Sequence, residues 1–465
     1  MSISSKGDSS RVARVVVVCA RSLGRGGFAR AAGALLLFAF LLAVPRFAPA
    51  QQEQEYEQPP IHYAKPPFDD AASHLKEQLE KHALKLPYDD KFGYLPALLK
   101  QFHISATSQA LVFSKTSFQR SKISPQSPRA LYFNDDTYLG YCLRGDVIEV
   151  SAIDSQQGAL FFTMSQHPED ACELVRQTDS CLQCHATSTT NDVPGLLIRS
   201  IFPDATGMPA LSHGTYHTTD RSPFSERWGG WYVTGTHGKL RHMGNVVLKS
   251  ASDTAQLDLD AGANITDLSK LFDVSPYLTP HSDLVALLVL EHQVTAHNRL
   301  TQANYQGRLA LRDEAALKKL DGDHAAPRSP SIQRRFDSAA DDLLRCFLFV
   351  GEPKLTDPVQ GTARFAEYFS ALGPKDSLGR SLREFDLQTR LFKYPCSYLI
   401  YSASFDRLPA PVLEAFYKKL GEVLAGHDER RNYQHLSYAD RRAIYEILSD
   451  TKKNLPADWR DLKIQ

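Results

Sequence analysis

The chain has 465 residues, and its 53 lysines and arginines equal its 53 aspartates and glutamates in number, so its formal net charge at neutral pH is zero. Residues 1–50 hold seven of the basic residues and one acidic residue, so the rest of the chain has 46 basic and 52 acidic residues, and this mildly acidic balance argues against nucleic acid as a partner. The length is sufficient for two or three domains with hydrophobic cores of their own.

The first 50 residues have the pattern of an export signal. Six basic residues precede an apolar run over residues 31–44, and Ala48-Pro-Ala50 then supplies the small residues that a signal peptidase reads. The run is too short to cross a bilayer comfortably. We therefore predict a signal peptide over residues 1–50 and a periplasmic location. An uncleaved anchor is the alternative, and it alone would bring the chain into contact with a membrane.

A lead-in and a β-rich section are predicted to follow. Residues 51–94 form an extended lead-in with an N-terminal helix over residues 68–84, where apolar positions recur at helical spacing. Residues 95–321 form a section of short β-rich runs that a long helix closes. The alternating patterns with turn residues between them predict two hairpins, at residues 147–164 and 231–247.

The chain then becomes helical. An amphipathic pattern over residues 283–311, with Ser282 or Asp283 as its N-cap, predicts the long helix. The Pro/Gly/Ser/Asp-rich residues 322–335 form a linker, and residues 336–465 form a small helical C-terminal domain. The fold class is therefore α+β. Further helices are expected at about 332–350, 361–372, 409–425 and 438–452.

The most informative segment is Cys181-Leu182-Gln183-Cys184-His185, which has the C-x-x-C-H spacing of a covalent c-type haem. The two thiols add to the two vinyl groups of the porphyrin, and His185 then binds iron through an imidazole nitrogen. A zinc site is the weaker interpretation because the chain has no second C-x-x-C pair. A thioredoxin-like pair is also weaker because the flanking sequence is typical of loops. We expect one covalent haem c.

Four cysteines remain after the signal peptide and the haem site are set aside. They could form the disulfides Cys142–Cys172 and Cys346–Cys396 in an oxidising compartment. The alternative, which we favour, is buried free thiols, since Cys346 lies in a strongly apolar run.

The second axial ligand of the iron decides the function, because a thioether, an imidazole or an open position each gives different chemistry. We predict Met243 as this ligand. It lies in Arg241-His-Met-Gly-Asn245, and the glycine beside it permits a close approach of backbone to porphyrin. The alternative for Met243 is a core residue that fills a gap. Other candidates for the iron or its surroundings are Met208, His213, His217, His237 and His242.

An aromatic segment, Arg227-Trp-Gly-Gly-Trp-Tyr-Val-Thr-Gly235, supplies predicted haem contacts. Trp228 and Trp231 would pack against the flat porphyrin, and Arg221 or Arg227 would pair with a propionate. An ordinary packed hairpin is the alternative. On the long helix, Glu291 continues an apolar stripe and so needs a partner such as Arg, Tyr or His. His292 and His297 are about 140° apart on a regular helix, so they cannot share one metal ion.

Several of these segments resemble exported bacterial cytochrome c domain-containing proteins. The resemblance covers most of the chain from about residue 95 to residue 450, and it implies export and one c-type haem. The segments that carry it are Asp179-Ser-Cys-Leu-Gln-Cys-His185, Glu226-Arg-Trp-Gly-Gly-Trp-Tyr-Val-Thr-Gly-Thr-His-Gly238, His242-Met-Gly-Asn245, Glu291-His-Gln293 with His297-Asn298, and Phe392-Lys-Tyr-Pro-Cys-Ser-Tyr-Leu-Ile-Tyr-Ser402.

The sequence thus predicts an exported monohaem cytochrome that transfers electrons to or from an unidentified exported redox partner. Two alternatives stay open. One is a haem enzyme, of peroxidase type or acting on a small oxyanion, because the chain is far longer than a bare electron carrier requires. The other is a haem-based sensor or interaction protein, because a separate helical region follows the haem section.

Overall fold

The computed structural model describes residues 55–249, 256–320, 328–428 and 431–464. Residues from Tyr56 onward form one compact unit. The predicted signal peptide and the start of the lead-in lie outside the described residues. Among the helices that are described, none combines the length and the apolar character needed to span a membrane.

A six-stranded antiparallel sheet forms the centre of the β-rich section, and its strands follow one another in chain order. The predicted hairpin at residues 147–164 is confirmed as the pair β4–β5. The strands are β1 (Ala110–Val112), β2 (Arg129–Phe133), β3 (Thr137–Tyr141), β4 (Val147–Asp154), β5 (Gly158–Ser165) and β6 (Val175–Gln177).

The two faces of this sheet differ because side chains alternate along each strand. One face presents Tyr132, Leu139, Val150 and Phe162, all of which are buried in the hydrophobic core. The opposite face carries half-buried polar groups such as Glu149 among its apolar residues. The second face, called the polar face below, therefore offers charged and hydrogen-bonding side chains to whatever packs against it.

Two small ribbons accompany the main sheet. Strands β7 (Ile198–Ile201) and β8 (Thr215–Thr218) pair with each other. Strand β9 (Gly235–Thr236) pairs with β10 (Gln360–Gly361), which joins the β-rich section to the C-terminal part of the chain.

Helices supply the rest of the fold, and the α+β class predicted from the sequence is confirmed. The predicted helix at residues 68–84 is present but shorter, and the predicted long helix extends to residue 320. The helices are α1 (Ala71–Glu80), α2 (Leu95–Gln101), α3 (Leu182–His185), α4 (Leu284–Leu320), α5 (Pro330–Phe347), α6 (Phe365–Ala371), α7 (Ala403–Asp406), α8 (Ala410–Leu424) and α9 (Tyr438–Thr451).

Two predicted helix starts correspond to real caps. The Asp283 carboxylate accepts hydrogen bonds from the backbone N–H groups of Val285 and Ala286, at 2.9 and 3.0 Å. Ser437 and Asp440 form the reciprocal capping box that begins α9. Helix α5 begins at residue 330, inside the predicted 322–335 linker, and residues 321–327 lie outside the described part. The predicted domain boundaries stay predictions.

The predicted hairpin at residues 231–247 is wrong. The Asn245 side chain binds both backbone groups of Val233, accepting from its N–H at 2.7 Å and donating to its carbonyl at 2.9 Å. The N–H of Tyr232 instead donates to the carbonyl of Leu111. The N–H of Asn245 does donate to the carbonyl of Trp231, but the contacts to the Asn245 side chain and to Leu111 replace the ladder that a second strand at residues 240–247 would need.

We predict that Asp283→Ala lowers the free energy of unfolding by about 2 kcal/mol, because two N–H groups of α4 lose their cap. The second carboxylate oxygen also accepts from the N–H groups of Thr362 and Ala363, at 2.7 Å each. Asp283→Asn keeps the helix cap and loses this second contact, so it should lower the free energy of unfolding by about half as much as Asp283→Ala. Urea denaturation measures both variants.

The matched control is Asp267→Ala, which removes an exposed capping side chain from the 3-10 turn at Leu268–Lys270. Its effect should stay within about 0.5 kcal/mol. Equal effects of Asp283→Ala and Asp267→Ala would contradict the role assigned to Asp283.

Candidate functional site

The C-x-x-C-H segment folds as a single helical turn. The N–H groups of Cys184 and His185 both donate to the carbonyl of Cys181, at 3.2 and 3.0 Å. Cys181 is half-buried and packs against the hydrophobic core, whereas Cys184 is exposed. The turn thus holds two thiols and one imidazole together on a short, fixed piece of backbone.

His185 has a defined orientation. Its Nδ1 lies 2.9 Å from the carbonyl oxygen of Gly195, and its Nε2 makes no hydrogen bond to any described residue. Burial lowers the pKa of His185, which favours the neutral ring. A neutral imidazole that donates from Nδ1 keeps its lone pair on Nε2, which is the usual state of a metal-binding histidine.

Helix α4 fixes the loop that orients His185. Asn298, on this helix, accepts from the N–H of Leu196 at 2.9 Å and donates to its carbonyl at 2.7 Å. A Cβ atom at Gly195 would lie only 2.3 Å from the Asn298 side-chain oxygen. Glycine is therefore required where the loop passes the helix.

The polar face of the six-stranded sheet lies beside this turn. The rings of Phe161 and His185 have their centroids 4.9 Å apart. On the same face, Arg129 donates to Glu149 at 2.5 Å, and both charges act on the pKa values of His185 and Cys181. Arg199, on β7, is a second cation that lowers the pKa of His185.

The residues around the turn fit a c-type haem. The thiols and the imidazole are the donor set that this group needs, with Nε2 directed away from the hydrogen bond to Gly195. Nearby, Arg129 Nε and Ser151 Oγ are buried without a partner among the described residues. Such orphaned polar atoms are rare in a native interior, and the carboxylates of a haem would satisfy donors of this kind.

Sequence reasoning did not single out Phe161, Arg129, Arg199 or Gly195. A signal for the sheet residues exists, because Glu149 and Ser151 interrupt apolar strands at every second position. Their nearness to His185 depends on strand pairing and could not be read from the chain alone.

Met243 has a partner other than iron among the described residues. Its sulfur accepts a hydrogen bond from Ser200 Oγ at 3.6 Å, and its side chain is buried. Ser200 and Arg199 are adjacent on β7, so their side chains lie on opposite faces of the ribbon. Met243 is therefore on the face opposite to Arg199, the residue that acts on His185. Its role as an iron ligand stays a prediction, and the core-residue alternative has the geometric support.

The predicted haem contacts Arg227, Trp228 and Trp231 are all buried. Arg227 Nη1 donates to Glu291 at 2.5 Å, and its other nitrogens donate to the carbonyls of Asp220 and Ser222. Trp231 donates from its indole to the carbonyl of Arg199 at 2.8 Å. As haem contacts these residues stay predictions. The partner expected for Glu291 is confirmed as Arg227.

Four other histidines lie at three separate places in the fold. His237 and His242 are buried with their rings 4.8 Å apart, and burial lowers the pKa of His242 to about 3. His217 is exposed and pairs with Arg199 across the β7–β8 ribbon. His297 Nε2 lies 2.8 Å from the carbonyl of Asp135.

All six cysteines in the described residues are free thiols. Comparison with known proteins adds no relative: neither a family model, nor a curated protein, nor a solved structure matches this chain.

We predict that Arg227→Met lowers the free energy of unfolding by about 3–5 kcal/mol, because it leaves Glu291 buried without its countercharge. Burial already raises the pKa of Glu291, and loss of Arg227 raises it further. The unfolded glutamate has a pKa of about 4.3, so a raised folded pKa means that the folded state holds a proton that the unfolded chain has released. The stability of the wild type should therefore fall as the pH rises from about 4 to about 8, and that of the variant should keep falling above pH 8, where the wild type levels off. Urea denaturation across this range is the measurement.

A second substitution, Glu291→Gln, removes the charge and should restore part of the stability lost in Arg227→Met. Arg364→Ala breaks the exposed Arg364–Glu367 pair and serves as the control, with an effect below about 1 kcal/mol. If Arg227→Met cost no more than this control, the buried pair would not have the role assigned to it.

Proposed function

We propose that this protein is an exported c-type cytochrome that carries one covalent haem and transfers single electrons. The observation that supports this most strongly is the helical turn at Cys181–His185. It presents two thiols and an imidazole whose Nδ1 is bound to Gly195, which leaves Nε2 for iron.

The residues of the chain have distinct roles in this proposal. Cys181 and Cys184 hold the porphyrin through thioether bonds, and His185 binds the iron through Nε2. Once bound, the haem supplies a one-electron redox centre. The Gly195 carbonyl fixes the imidazole, and the nearby Arg129 offers a cation with an unsatisfied buried nitrogen.

The exposure of Cys184 favours electron transfer over catalysis in a closed pocket. Cys184 is exposed, whereas Cys181 is half-buried against the core. A group bonded to the Cys184 sulfur therefore reaches the surface, where a soluble redox partner can approach it. The basic and apolar leader over residues 1–50 and the resemblance to exported cytochrome c domain-containing proteins support a periplasmic location and an exported partner.

The test is expression of the full chain in a host that matures c-type cytochromes. The purified protein should keep its haem colour after denaturation and should have the mass of the polypeptide plus one haem. Cys181→Ser and Cys184→Ser should each lose one thioether bond, and the double variant should lose covalent haem. Cys172→Ser, a half-buried cysteine outside the turn, is the control and should keep it. A colourless wild-type protein with the bare polypeptide mass would refute the proposal.

The role of Met243 is tested by Met243→Leu, a swap that nearly conserves volume and costs less than about 1.5 kcal/mol. Because the sulfur already accepts from Ser200, the core-residue alternative predicts that the visible and near-infrared spectra and the reduction potential of the haem protein stay unchanged. Loss of a thioether–iron band with a lower potential would show that Met243 binds the iron instead. Met208→Leu, at an exposed position, is the control.

A further inference from the structure

A second group of metal-binding side chains is assembled from three elements other than the C-x-x-C-H turn. Asp220 lies in the loop after β8, His292 on α4 and Cys346 near the end of α5. One ligand atom from each residue lies within 4.8 Å of the other two. The three positions are far apart in sequence, so only the fold brings them together.

The imidazole of His292 is held on two sides and across its face. Its Nδ1 lies 2.8 Å from Asp220 Oδ2, and its Nε2 lies 2.8 Å from Ser397 Oγ. The Phe349 ring stacks on it with a centroid distance of 4.2 Å. When Nε2–H donates to Ser397, the Nδ1 lone pair faces Asp220. A histidine ligand is commonly fixed through its second nitrogen in this way.

The group is deeply buried. Exposed fractions are 5% for Asp220, 0% for His292 and 1% for Cys346. The second carboxylate oxygen of Asp220, Oδ1, is buried and has no partner among the described residues. A carboxylate oxygen in that position is costly unless a donor or a cation satisfies it.

The guanidinium of Arg227 does not meet this need. Arg227 contacts Asp220 only through the backbone carbonyl, at 3.0 Å, and its charge is paired with Glu291. Among the described residues the Asp220 carboxylate makes no contact with a lysine or arginine side chain, and it lies beside the Cys346 thiol and the His292 imidazole.

We propose that Asp220, His292 and Cys346 bind one divalent transition-metal ion, with Zn²⁺ as the best match. A thiolate, a carboxylate and a neutral imidazole together carry two negative charges, which balance the ion. They are also the sulfur, oxygen and nitrogen donors that zinc accepts. Binding releases the Cys346 thiol proton and the proton shared by His292 and Asp220.

The site is structural rather than catalytic, because all three ligands are shielded from solvent. An ion there would tie the loop after β8 to helices α4 and α5. The contacts Asp220–His292–Ser397 also have the order of a carboxylate, base and nucleophile. Ser397 is 0% exposed, however, so its hydroxyl cannot meet a substrate, and the arrangement does not act as a hydrolase.

The experiment is metal analysis of the full-length haem protein after dialysis against Zn²⁺ and then against metal-free buffer. We expect close to one zinc per chain, with X-ray absorption at the zinc edge showing one sulfur at about 2.3 Å and nitrogen or oxygen at about 2.0–2.2 Å. Iron is measured in the same sample, so failure of haem attachment and failure of zinc binding are separate outcomes.

Cys346→Ser should reduce zinc retention about tenfold or more and remove the sulfur from the zinc spectrum. Cys396→Ser is the matched control, because Cys396 is also 1% exposed and does not belong to the group. Asp220→Asn should weaken binding while it leaves the sulfur signal of any residual zinc. Circular dichroism establishes that each variant is folded.

Three results would overturn the proposal. They are wild-type protein that retains no zinc, bound zinc without a sulfur ligand, and folded Cys346→Ser that retains as much zinc as the wild type.

Discussion

The structure depends on one constraint, which is that helix α4 carries consecutive polar side chains through the interior and each of them needs a partner there. Glu291, His292 and Gln293 are all 0% exposed. Glu291 pairs with Arg227, and His292 bonds to Asp220 and Ser397. Gln293 donates to Tyr138 and to the carbonyl of Asn134, and it accepts from the hydroxyl of Tyr398. Because an unsatisfied buried polar group is costly, these contacts fix the sheet, the loop after β8 and the C-terminal segment around one helix.

A buried polar side chain of α4 also determines the geometry of the C-x-x-C-H turn. Asn298 on α4 holds Leu196 through both of its backbone groups, and the adjacent Gly195 carbonyl binds His185. The orientation of the imidazole is therefore set from a helix more than 100 residues further along the chain. The support of this imidazole therefore comes from a long-range contact within a large α+β unit rather than from a local helical bundle.

Parts of the architecture could be predicted because they depend on neighbours in sequence. The β4–β5 hairpin follows from alternation on each side of a turn, and the Ser437–Asp440 capping box follows from a local pattern. The prediction for residues 231–247 was wrong for the opposite reason. There, the Asn245 amide and strand β1 take the backbone hydrogen bonds that a hairpin needs, and neither competitor is visible in a local pattern.

The sequence by itself determined which donor groups the pentapeptide at Cys181–His185 offers, because thiol spacing and the adjacent imidazole are properties of consecutive residues. It also determined that Glu291 needed a partner, because a carboxylate within an apolar stripe must be compensated. Only the tertiary structure decided that this partner is Arg227, that Met243 lies against Ser200, and that Cys346 lies beside His292. These contacts join residues from different elements, and their geometry is set by strand pairing and helix packing, which no single stretch of sequence encodes.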